Sequence, residues 1–156
     1  CRTLSEARDL ALLLADASMY PERTVSGYSE LLINAIEHGN LGISYAEKSV
    51  LLTEGRWLEE VESRLRSPEY SRLLVNVTLE KTADSCRVTI ADQGKGFDWQ
   101  LYVEFRPERV FDLHGRGIAM SRAISFDSLE YLGNGSRVVA TVLLPGAKQG
   151  AQPAGA

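Results

Sequence analysis

Two periodicities divide the chain. From Thr3 the apolar positions Leu4, Ala7, Leu10, Ala11, Leu14 and Ala15 recur at helical spacing, and Thr3 with Glu6 three residues on is a capping-box signature. That predicts a first helix. Pro21 suits the first turn of a second, whose apolar positions Val25, Tyr28, Leu32, Ala35 and Ile36 run on until Gly39 and Gly42 end it. Ser44 and Glu47 form another capping box, opening a charged amphipathic stretch that Pro68 stops, so a helical hairpin is expected over 44–71. After it the period drops to two. "RLLVNVTLE" alternates Leu74, Asn76 and Thr78 against Val75, Val77 and Leu79, and "CRVTIAD" repeats the alternation, which predicts two neighbouring strands joined through "TADS". A loop follows from Phe97 to His114, then a helix over "GIAMSRAISF". "SLEYLGNGSRVVATVLL" reads as a closing hairpin, with Gly133, Asn134 and Gly135 supplying the positive φ of a tight turn.

Helices followed by strand pairs predict an α+β fold, a two-layer α/β sandwich with helices covering one face of a mixed sheet. The expected domain spans 1–145 with 44–71 as a helical insertion, and the Gly, Ala and Pro-rich tail 146–156 reads as disordered or linker. At 156 residues there is room for one core. A net charge of −4 with scattered Lys and Arg argues against nucleic acid as a partner. Two cysteines without C-x-x-C give neither a disulfide framework nor a zinc site, and the apolar runs are too short for a membrane span, so a cytoplasmic setting is expected. The chain opens on Cys1 rather than Met and is read as part of a longer protein.

Three stretches carry polar residues that this scheme leaves unexplained. In "ELLINAIEHGN", Glu30, Asn34 and His38 recur every four residues and share one helix face. In "ADQGKGFD", Asp92 closes a strand and is followed at once by Gly94 and Gly96; such a carboxylate can accept from an exocyclic amine while glycines admit a ring or phosphate to the backbone. In "HGRGIAM", Gly115 and Gly117 precede a helix, whose free N–H groups favour an anion. No P-loop or dinucleotide fingerprint is present. A triphosphate brings a divalent cation; Mg²⁺ takes oxygen ligands, and Asn34 can donate one.

Glu30-x-x-x-Asn34, Asp92-x-Gly94-x-Gly96 and Gly115-x-Gly117 resemble the N, G1 and G2 boxes of the GHKL ATPase superfamily, which includes gyrase, the ninety-kilodalton heat-shock chaperone and histidine kinases. Any one box is weak, but three in order on a matching element pattern, over residues 3 to 145, are specific. Within that superfamily the chain most resembles the anti-sigma-factor serine/threonine kinases. The resemblance implies a histidine-kinase-like ATPase domain that holds adenine at Asp92 and Mg²⁺ at Asn34, with Glu30 as the base for an attacking hydroxyl. His38 and Arg116 are candidate phosphate contacts, and Lys95 a weaker one. The implied partners are an antagonist protein, a sigma factor, and an upstream receiver or sensor domain of a bacterial regulator; homodimerisation stays open. Two other readings stand beside the kinase: an ATP-gated protein-binding module without transfer activity, and the catalytic domain of a histidine kinase. The hairpin after Asn40 departs from the small kinases, and is expected to contact a partner or the upstream chain near the ATP lid.

Overall fold

A computed structural model describes residues 1–97 and 124–145. The second glycine box, most of the expected helix over "GIAMSRAISF" and the tail 146–156 lie outside the described residues. Helix α1 spans Leu4–Ala17 and α2 spans Pro21–Asn34. The first capping box closes as expected: the Glu6 N–H donates to Thr3 Oγ1 at 3.2 Å, and the Thr3 N–H to Glu6 Oε2 at 3.2 Å. The second helix does run on past Asn34, but as a π-helical turn, Ala35–Asn40, rather than an α-helix. Such a wide turn places its side chains at angles that an α-helix would not.

The stretch after it folds into two helices, α3 over Tyr45–Thr53 and α4 over Trp57–Arg66. Ser44 and Glu47 reciprocate their backbone bonds at 3.1 and 3.4 Å, and α4 ends two residues before Pro68. Of its apolar residues, Val61 is fully buried, Trp57 packs against the core and Leu58 stays exposed.

The strands are β1 (Asn76–Lys81), β2 (Ser85–Ala91), β3 (Ser128–Leu132) and β4 (Arg137–Leu143), arranged β1-β2-β4-β3. All three described ladders are antiparallel, so across these strands the sheet is not the mixed one expected. Two hairpins placed side by side produce this, because β4 returns against β2. The first strand also starts later than its alternation suggested, since the Leu74 N–H goes to the Gln93 side chain and the Val75 N–H to the Cys1 carbonyl. In the last hairpin Gly133 and Gly135 take positive φ, whereas Asn134 does not. Its side chain is bonded elsewhere.

One face of the sheet is apolar: Cys86, Val88 and Ile90 on β2, Leu129 and Tyr131 on β3, and Val138, Ala140 and Val142 on β4 are buried. They join Ala7, Ala11, Leu14, Tyr28 and Leu32 of α1 and α2 in a single core. Close approach at Gly27 sets the spacing at one end, where a Cβ would stand 2.5 Å from that of Ser125 and the Tyr28 and Phe126 rings lie 4.9 Å apart. The result is the expected two-layer α+β sandwich, with the π-turn of the second helix brought to the C-terminal end of β2.

Candidate functional site

The four-residue spacing does what helical geometry requires. The Asn34 side-chain amide donates to Glu30 Oε1 at 3.0 Å, which turns its carbonyl oxygen away from the carboxylate. Asn34 lines a cavity of about 950 Å³; Glu30 does not, and stands one turn behind. His38 also lines the cavity, and its Nδ1 lies 2.5 Å from the Ile43 carbonyl. A carbonyl only accepts, so Nδ1 carries the proton. The ring sits 4.0 Å from that of Tyr45, and burial pushes its pKa down, so the uncharged imidazole is favoured.

Asp92 faces the same cavity from the end of β2. Its backbone N–H donates to Ser136, and its carboxylate accepts from Gly94 N–H at 2.8 Å. Burial pushes its pKa up, partly opposed by that bond. The two box glycines serve the protein's own packing. A Cβ at Gly94 would fall 2.2 Å from the Gly39 carbonyl oxygen, and one at Gly96, whose φ is +76°, would fall 2.2 Å from the Asn134 carbonyl oxygen. Gly39 in turn lies against the Asp92 carboxyl, where a Cβ would be 2.4 Å from Cγ. The buried Asn40 side chain accepts from Gln93 N–H at 2.8 Å. On the far side Asn134 accepts from Phe97 N–H at 2.8 Å and donates to the Lys95 carbonyl at 3.1 Å. The loop Gln93–Phe97 is therefore clamped between the π-turn and the β3–β4 turn. Tyr131, beneath it, meets Phe97 edge-on at 5.4 Å, and burial raises its hydroxyl pKa.

A family model for the histidine kinase-like ATPase domain matches residues 4–142. The chain belongs to that family. No curated protein and no solved structure matches it. Domains of the histidine kinase-like ATPase family bind ATP, typically with Mg²⁺, and the residues here fit both. The cavity is of nucleotide size. Among the described residues no group of three or more His, Cys, Asp or Glu side chains gathers to hold a metal. A hard cation held by one amide oxygen, phosphate and water needs no such group, and Asn34 has that oxygen to offer.

Of the sequence candidates in this ATPase domain, Asn34, His38, Asp92, Gly94, Lys95 and Gly96 surround one cavity, with Glu30 behind them. Gly115, Arg116 and Gly117 lie outside the described residues. Sequence reasoning missed Gly39, Asn40 and Tyr131. The triplet "HGN" holds the first two, where glycine at a helix end signals only a stop, and Tyr131 sits inside an ordinary strand alternation. The hairpin reaches the site as well, for Ser44, Tyr45 and Ala46 at the start of α3 and Glu69, Tyr70 and Leu73 after α4 form a wall of the cavity. No helix among the described residues is long and apolar enough to cross a membrane.

Proposed function

We propose that this ATPase domain binds Mg²⁺-ATP and transfers the γ-phosphoryl group to a serine or threonine of an antagonist protein. A sigma factor is a further partner, and the domain serves as an output module behind a receiver or sensor in a bacterial cytoplasmic regulator. The observation that carries this reading is the convergence of Asn34 and Asp92 on one cavity although they come from different layers of the fold. Asp92 would accept from the adenine amine and Asn34 would hold Mg²⁺, which when bound neutralises charge on the phosphates. Glu30 would take the proton from the attacking hydroxyl as that oxygen bonds phosphorus and ADP leaves.

One observation favours a second reading. Glu30 is set back from the cavity and already accepts from Asn34, an arrangement that suits an ATP-gated binding module lacking transfer. Incubation with γ-labelled ATP and an antagonist-domain protein separates the two. The kinase reading expects labelled antagonist, with Glu30→Gln keeping nucleotide affinity while transfer falls about 10²-fold or more. Equal transfer by parent and mutant removes Glu30 as the base; binding without any transfer selects the ATP-gated module.

A further inference from the structure

Glu37 is the most deeply placed charge in the described part of the molecule, with no solvent exposure. It belongs to the π-turn, between Asn34 and Asn40, yet it does not line the cavity. Its Oε2 pairs with Lys48 Nζ of α3 at 2.5 Å, and Oε1 has no hydrogen-bond partner. Lys48 Nζ also stands 5.8 Å from the centre of the Trp57 ring, at the first residue of α4. The Trp57 indole favours the ionised carboxyl without closing to hydrogen-bond geometry. Three elements thus meet at one buried charge. Burial pushes the Glu37 pKa up and Lys48 opposes it, the pattern of a carboxylate that depends on its cation.

The hairpin touches the same helix at two more points. His38 stacks on Tyr45, and Arg64 of α4 donates to the Leu41 carbonyl at 2.9 Å while bridging Glu47 and Glu60. Neither contact demands one seating as strongly, because neither leaves a fully buried charge if broken. Residues just before α3 and just after α4 wall the cavity, so the seat of the hairpin determines the shape of that wall.

We propose that Glu37 and Lys48 are positioning residues for the nucleotide site: their buried ion pair seats the α3–α4 hairpin as a cavity wall and thereby sets nucleotide affinity without touching the ligand. The inference rests on the ATP-binding reading and assigns the hairpin a role within that site. A carboxylate inside a core is tolerated only where its counter-charge can reach it, and the hairpin as seated here brings Lys48 to it.

The test uses the whole chain as wild type, Lys48→Met, Lys48→Arg and Glu37→Gln/Lys48→Met. Affinity for a non-hydrolysable ATP analogue with Mg²⁺ is read by calorimetry, thermal stability by circular dichroism, and hairpin amide protection by hydrogen exchange. Lys48→Met is expected to weaken binding about ten-fold or more and to raise exchange over residues 45–66, since it strands the carboxylate. The double mutant, with a neutral amide that needs no cation, is expected to return to within about three-fold of wild type, as is Lys48→Arg. Wild-type affinity in Lys48→Met, a melting temperature that falls while affinity holds, or a double mutant no tighter than the single would overturn the proposal. Should Lys48→Met fail to fold, Lys48→Gln, whose amide can still donate to the carboxylate without the charge, takes its place: binding weaker than in both wild type and the double mutant upholds the proposal, and wild-type binding overturns it. Failure of the wild type to bind the analogue would refute the ATP reading instead. The exchange arm then decides the seating alone: loosening over residues 45–66 in Lys48→Met that the double mutant reverses supports it, and unchanged protection overturns it.

Discussion

A glycine at position 94 is required by a neighbour rather than by its own dihedral angles. The nearest atom to a Cβ there is the Gly39 backbone oxygen at 2.2 Å, which cannot swing aside as a flexible side chain would. Gly94→Ala is expected to cost about 1–3 kcal/mol in urea unfolding and to weaken nucleotide binding, because the loop that follows Asp92 must lift off the π-turn. A stable mutant with unchanged affinity would show that the loop is not held there. The glycines are visible in "DQGKG", but the neighbours they pack against are not. A box motif reports which residues are small, whereas the surface that needs them small, Gly39 and Asn134, comes from segments far away in sequence. Asn40 was opaque for the same reason, since an amide beside glycines reads as a cap until Gln93 is brought to it.

Among elements, the second helix was well marked up to Asn34 and poorly marked beyond. Its start is local chemistry, Pro21 at the first turn and apolar residues at helical spacing. Its π-turn follows from tertiary contacts, Glu37 to Lys48 and Asn40 to Gln93, which no local period encodes. The hairpins and both capping boxes were legible because each is closed by residues a few positions apart. The π-turn also gives a pH signature. Burial lowers the His38 pKa below its unfolded value of about 6.5, so the unfolded chain takes up a proton first as pH falls. The stabilising contribution is complete above that value and is lost below it, by about 1.4 kcal/mol for each pH unit until the folded pKa is reached. Urea midpoints from pH 8 to 5 are expected to drop more for wild type than for His38→Gln. Glu37 and Asp92, both raised by burial, titrate in the opposite sense and are common to the two proteins, so the difference isolates His38. Parallel curves would mean that His38 does not titrate across that range.

For the molecule as a whole, stability and site are separable at some positions. Leu32 is fully buried between the layers and does not line the cavity. Leu32→Ala is expected to lower unfolding free energy by about 2–5 kcal/mol while leaving the affinity of the folded fraction unchanged. A parallel loss of affinity would mean that core packing and cavity shape are one property. The two-layer class was readable from the order of periodicities, but the pairing of β2 with β4 was not, because the forty-odd residues between them carry no pairing code. That pairing has a consequence for how the protein is made. The central strand gains its second neighbour, and the loop Gln93–Phe97 its Asn134 clamp, only when residues 134–143 have been added. A nascent chain still lacking them has its α1–α2 pair and the β1–β2 hairpin but no finished cavity. Nucleotide would then meet a site only after synthesis of the last strand, so ligand could act on the completed fold and not guide the growing one.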